Sequence, residues 1–157
     1  MLESAASEVS PASVESWLRI ARFGVDSGLL VLIWMVQLIV YPSFLHVSNE
    51  ALESWHNAYS ARITVIVMPL MFLQVGLLLA QAATGLRVPV LLAGALVAAA
   101  WLSTFFQAVP THSAIAATAA AGEGAQESIH RLVAVNWPRT ILWSVVWLLA
   151  TFDLLRR

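Results

Sequence analysis

The chain of 157 residues contains no cysteine. That removes disulfides, thiolate nucleophiles, iron–sulfur clusters and cysteine-ligated zinc, and it leaves the redox compartment unread. Charge is also scarce: Asp, Glu, Lys and Arg make up 11% of the residues, against about a quarter in soluble proteins. There is no lysine; every basic residue is an arginine, none sits in a long run, and the formal net charge is −1. Nucleic acid is therefore not an expected partner. What fills the space is apolar. With 60% hydrophobic residues and a mean hydropathy of +0.81, the composition is that of an integral membrane protein of one domain, with the lipid bilayer as its first partner.

Four stretches carry the hydrophobicity. Residues 1–12 are small, polar and acidic; they lack the basic and apolar regions of a cleaved signal and read as a loose tail. Ser10-Pro11 starts a helix. Val14, Trp17, Leu18 and Ala21 share one face of it, with Glu15, Arg19 and Arg22 on others, the pattern of an amphipathic helix lying in the membrane interface. Within 13–47 this helix is followed by a first span, Gly28–Leu45, which extends back to take in Asp26 and closes at Tyr41-Pro42. Within 49–84 a short helix repeats Leu52, Trp55, His56, Tyr59, Arg62 and Ile63 at three and four, suiting an interfacial lid, and leads into a second span carrying Pro69 and Gln74. The third span is 88–109, ended by Pro110. The fourth lies within 126–155. The expected fold is all-α: an antiparallel four-helix transmembrane bundle with a short interfacial helix between the first two spans. Arg19, Arg22, Arg87, Arg156 and Arg157 fall on one side and only Arg62 and Arg131 on the other. The positive-inside rule then puts both termini in the cytoplasm, of a bacterial inner membrane.

The fourth span is where lipid is most offended. If it starts near Leu132, Arg139 lies roughly 10 Å along it, and a charge at such depth needs a partner or water. Asn136, Arg139, Thr140 and Trp143 fall at i, i+3, i+4 and i+7, one stripe that should face the bundle interior. On the same orientation Tyr41, His56, Tyr59, Arg62, Gln107, His112, Asn136 and Arg139 all reach the extracytoplasmic ends of their segments. Polar groups from four helices at one level are how a bundle builds a ligand site. His56 and His112 are the groups there able to act as a base near neutral pH. The expected catalytic set is His112, His56, Arg139 and Asn136. Tyr41, Tyr59, Arg62, Gln74, Gln107, Thr140 and Trp143 are the expected substrate-binding residues. As a metal site, His56 and His112 fall short of the three or four ligands zinc or iron takes, and no cofactor is assigned. A purely structural reading also exists: Arg139 tied to carbonyls freed by Pro138, or to Gln74 or Asn136, as helix glue.

Val109-Pro110-Thr111-His112 after the third span, followed by Asn136-x-x-Arg139-Thr140 in the fourth, resembles the anthrone oxygenase-like family of small four-span membrane proteins. That family carries a Val-Pro-x-Asn stretch and an Asn-x-x-Arg-Thr stretch in the same places, and a proline ends its first span as Pro42 does here. The resemblance implies that Pro110, Asn136, Arg139 and Thr140 line a site where anthrones are oxidised to anthraquinones by dioxygen without metal or flavin. His112 departs from the family's asparagine. The expected function is thus an oxidoreductase acting on a flat phenolic or quinone-like apolar molecule, with His112 or His56 as base and Arg139 with Asn136 holding the anion. Two alternatives stand beside it. One is a non-catalytic accessory subunit of a larger membrane complex or homo-oligomer, using Gly94 and Ala98 as a close-contact face. The other is a quinone- or metal-binding electron-transfer subunit.

Overall fold

The computed structural model describes residues 10–156; residues 1–9, which hold most of the expected tail, and Arg157 lie outside the described residues. Four helices, Ala12–His46, Asn49–Thr84, Val88–Ala120 and Gln126–Leu155, are each long and apolar enough to cross a bilayer. The first begins as the sequence predicts: Ser10 is extended (φ −65°, ψ 146°) and its hydroxyl oxygen accepts the Ser13 N–H at 3.3 Å, which supplies one of the open donors of the first turn. The three connections are short, so neighbours run antiparallel. Gly122 closes the third helix in the left-handed region (φ 73°), with its own N–H bonded to Ala119 O and that of Glu123 to Thr118 O. These two bonds take up carbonyls the helix end would otherwise leave bare, at a φ that favours glycine.

The helices form a ring. The first packs on the second and the fourth, the third packs on the fourth, and the second and third close the square. Polarity is turned outward in. Val31, Leu38, Ile39, Val65, Phe72, Leu79, Leu86 and Phe106 are among the large apolar side chains left exposed, while Arg22, Asp26, Gln37, Gln74, Gln81, Asn136, Arg139, Thr140 and Asp153 are buried. An apolar belt of that extent is unsuited to water. It fits a surface of lipid around a bundle that keeps its polar groups inside. The chain is an integral membrane helical bundle.

The structure corrects three expectations at element level. The amphipathic stretch before the first span is continuous with it, Pro11–Met35 being one helix. Its charged face, with Arg22 at 1% exposure, points into the bundle while Trp17 at 67% points out. An interface helix buries its apolar face in lipid and wets its polar face; here the polar face meets other charges inside. The second finding is that the His56 stretch and the second span also form one helix, Asn49–Thr84, so the expected lid is the opening stretch of a span. The third is that Pro110 does not end its helix. A π turn, Thr104–Ala108, precedes it, with Val109 N–H bonded to Thr104 O, and the helix runs on through Val109–Ala120. Pro42 is treated alike: Val36–Val40 is a π turn with Tyr41 N–H bonded to Val36 O, and Tyr41–Ser43 comes directly after it. A proline clashes with the carbonyl four residues back and cannot donate to it. One extra residue in the preceding turn relieves both problems and lets the helix continue.

Candidate functional site

The two π turns lie on the first and third helices, and the side chains just beyond them meet. Tyr41 Oη is 3.1 Å from His112 Nε2, and the other ring nitrogen of His112, Nδ1, is 2.9 Å from His56 Nε2. Three helices thus contribute one chain of contacts: a phenol, an imidazole and a second imidazole. Both nitrogens of His112 are engaged, and each hydrogen bond needs an unprotonated partner at one end. Aromatic neighbours hold the chain in place. Tyr59 stands edge-on to Tyr41 and Phe44, with centroids 6.4 and 5.3 Å apart, and Phe44 stands edge-on to His56 at 5.7 Å. Such pairs fix ring orientation beyond what burial alone does. His56 Nδ1 is buried without a hydrogen-bond partner among the described residues.

The fourth helix brings a second network. Asn136 Nδ2 donates to Gln37 Oε1 at 2.8 Å, Gln37 Nε2 donates to Val133 O at 3.2 Å, and Arg139 Nη1 donates to Asn136 Oδ1 at 3.0 Å. Thr140 Oγ1 stands 3.3 Å from Gln37 Oε1 and 3.1 Å from Asn136 O. Asn136 is therefore a bridge: its amide nitrogen clasps the first helix and its oxygen steers the guanidinium. Arg139 is 7% exposed, lies with Cζ 5.4 Å from the centre of the Trp143 ring, and has no hydrogen-bond partner for Nε among the described residues. Among the described residues it joins no ion pair; all the ion pairs found involve Arg19, Arg22 or Arg87.

Both networks border a cavity of about 270 Å³. Its walls are mostly apolar, from Leu29 and Ile33 through Val67 and Met71 to Trp101 and Phe105, with Tyr41, Tyr59, His112, Arg139 and Trp143 supplying polar or aromatic contacts. The wall residues Thr64, Phe105 and Val109 are also exposed on the outside of the bundle. The cavity therefore reaches the lipid-facing surface between the second and third helices.

The expected site residues divide accordingly. Tyr41, Tyr59, His112, Arg139 and Trp143 border the cavity. His56, Asn136 and Thr140 stand behind it, each held by its own hydrogen bonds. Gln74 is buried further along, accepting from Trp143 Nε1 at 3.4 Å and donating to Asp26 Oδ1 at 2.7 Å. Arg62 is elsewhere: it is exposed, in a surface groove with Trp55 and Val47. Gln107 is exposed too, with Oε1 accepting from Ser103 Oγ at 3.2 Å. The π turn that carries Gln107 aims it away from the interior. Pro110 is exposed rather than lining the site. For a metal, His56 and His112 find no third partner: among the described residues no three His, Asp or Glu side chains gather.

Sequence reasoning missed two features. Gln37, not among the expected site residues, is 2% exposed and is the first helix's half of the Asn136 clasp. The other is a charged cluster at the end of the bundle that holds the termini. Arg22 Nε lies 3.6 Å from Asp26 Oδ2, and Arg22 Nη1 donates to Gln81 Oε1 at 2.9 Å. Arg87 Nη1 lies 2.7 Å from Glu15 Oε1 and 3.6 Å from Asp153 Oδ1. The signal was present in the spacing: Arg22 and Asp26 are four apart, and Gln74 and Gln81 are seven apart on one helical stripe. No protein-family model, curated protein or solved structure matches this chain.

Proposed function

We propose that the cavity binds a flat, apolar phenolic or anthrone-like molecule drawn from the lipid and that its polar end ionises and oxidises that molecule. One observation supports this above the others: a buried guanidinium without a carboxylate partner among the described residues borders a mostly apolar pocket. An ionisable group inside a membrane bundle is a functional candidate by default. An apolar substrate enters neutral and becomes an anion only on losing a proton, so a fixed positive charge there favours the ionised form over the bound ground state. The imidazole and phenol beside it supply the proton acceptor. An enolate formed from an anthrone reacts with dioxygen; the carbon takes up O₂, the peroxide oxygen takes one proton, and loss of water with the second benzylic proton leaves the carbonyl. Anthrone and O₂ thus give anthraquinone and water with no further oxidant. The likeness of Val109-Pro110-Thr111-His112 and Asn136-x-x-Arg139-Thr140 to the anthrone oxygenase-like pattern supports the same chemistry.

The termini are placed in the cytoplasm, and the membrane is taken as a bacterial inner membrane. The support is the arginine excess at the terminal end, with Arg19, Arg22, Arg87 and Arg156 there against Arg62 and Arg131 at the other. The test of the activity is oxygen uptake and anthraquinone absorbance with anthrone and the purified chain in lipid bilayers. Arg139→Gln is expected to lower turnover by about 100-fold or more with the far-ultraviolet helix signal intact. Wild-type turnover in that variant overturns the reading. An accessory-subunit role draws on Gly94 and Ala98, small residues four apart on the third helix. Co-purification of a second membrane subunit in fixed ratio, with anthrone left untouched, would favour it.

A further inference from the structure

His112 cannot meet a substrate through a free ring nitrogen without breaking a contact, because Nδ1 faces His56 and Nε2 faces Tyr41. Of the three groups in the chain, Tyr41 and His112 border the cavity, His112 with both ring nitrogens already engaged, and His56 lies behind, at 3% exposure. His56 is seven residues into a helix that starts at Asn49, roughly 10 Å from its end at 1.5 Å per residue. We infer that Tyr41 is the group that takes the substrate's proton and that His112 and His56 carry that charge away in series, toward the end of the bundle opposite the termini. This rests on the acid–base reading of the cavity proposed above.

The hydrogen bonds admit two settings, and the transfer converts one into the other. In the first, Tyr41 O–H donates to His112 Nε2, His112 Nδ1–H donates to His56 Nε2, and His56 holds its proton on Nδ1. When the substrate's C–H or O–H bond breaks, its proton forms a new bond to Tyr41 Oη. Tyr41's own proton passes to His112 Nε2, and the Nδ1 proton of His112 passes to His56 Nε2. The bonding pair stays on the substrate as an enolate beside Arg139, and His56 becomes the imidazolium. Three bonds to hydrogen break and three form. Afterwards Tyr41 and His112 are neutral again, with His112 in its other tautomer, so no phenolate is left standing in the apolar wall. The proton is handed on from His56 Nδ1, which is buried and has no hydrogen-bond partner among the described residues, to water entering from that end of the bundle. The groups packed around the relay are Phe44 from the first helix and Tyr59 from the second, with Arg139 from the fourth bordering the same cavity. The one fixed charge among them sits on the substrate's side and holds the anion there while the proton departs.

A serial relay makes a quantitative demand, because removing any one station removes the whole path. The full chain in lipid bilayers is mixed with anthrone and oxygen, and formation of the anthrone anion is tracked by its absorbance in single turnovers. Tyr41→Phe and His56→Leu are each expected to slow that step by about 100-fold, within the range for acid–base groups, and the double variant is expected to be no slower than either single one. The solvent deuterium isotope effect seen in wild type should shrink in both. Tyr41→Phe running at the wild-type rate, or a double variant showing the product of the two losses, overturns the relay. Should wild type fail to ionise anthrone at all, the functional reading falls, and the relay is then judged by solid-state NMR of ¹⁵N-histidine. A through-hydrogen-bond coupling between His56 Nε2 and His112 Nδ1, with His112 changing tautomer in Tyr41→Phe, sustains it; no coupling removes it.

Discussion

Asn136 ties the folding of the bundle to the proposed chemistry through a single side chain. Its amide is fully buried, donates to Gln37 on the first helix and accepts from Arg139 one turn along its own. Replacing it with leucine would leave one guanidinium nitrogen without its partner and the Gln37 oxygen with Thr140 alone, where water is excluded. Interhelical hydrogen bonds inside membranes are worth about 1 kcal/mol each, so Asn136→Leu should lower stability by about that amount in a detergent unfolding titration. Its effect on anthrone turnover should be larger than its effect on folding, since the guanidinium loses the contact that aims it at the cavity. Equal stability and equal turnover would show that Arg139 is positioned by Trp143 alone. The residue scale is also where reading from sequence did best. The stripe Asn136, Arg139, Thr140, Trp143 is dictated by helical spacing and is buried in full, whereas Gln107 has the same chemistry as Gln37 and the opposite fate.

That difference is set at the scale of elements. In a regular helix the spacing of Gln107 from the rest of the third span would have told which face it occupies. The π turn Thr104–Ala108 inserts one residue and so rotates the rest of the helix by about one residue's turn, roughly 100°. Val36–Val40 does the same on the first helix. The sequence offers Pro42 and Pro110 as the signal, but a proline equally predicts a helix end, and only packing against neighbouring helices makes continuation through a widened turn the better solution. The two widened turns precede Tyr41 and His112, the pair 3.1 Å apart. Pro110→Ala restores a backbone donor and removes the clash with the carbonyl of Phe106, which frees this segment to adopt regular α geometry. We expect the variant to keep its helix content and its melting temperature or to raise it. His112 should swing off Tyr41, seen as loss of the Tyr41-dependent histidine shift in NMR. Retention of that contact would mean the π turn is imposed by the bundle rather than by the proline.

For the whole molecule, the pattern hardest to read was one of sign. An amphipathic helix in a soluble or interfacial setting turns its charges to water, and hydrophobic periodicity alone does not say which face points in. In a bundle surrounded by lipid the same periodicity serves the opposite arrangement, which is why Arg22 and Asp26 are inside and Trp17 is outside. Their cluster also bears on topology. Arg19, Arg22 and Arg87 are matched there by Glu15, Asp26 and Asp153. Orientation is nevertheless set by the arginines, because acidic residues contribute little to the positive-inside rule. Since the chain has no cysteine, single introduced thiols report cleanly on sidedness. Glu123 is exposed in the connection between the third and fourth helices, and Leu86 is 72% exposed in that between the second and third. In intact bacterial host cells Glu123→Cys should react with a membrane-impermeant maleimide, and Leu86→Cys should react only after the membrane is opened. The reverse pattern would invert the protein in the membrane and, with it, the side to which His56 delivers a proton.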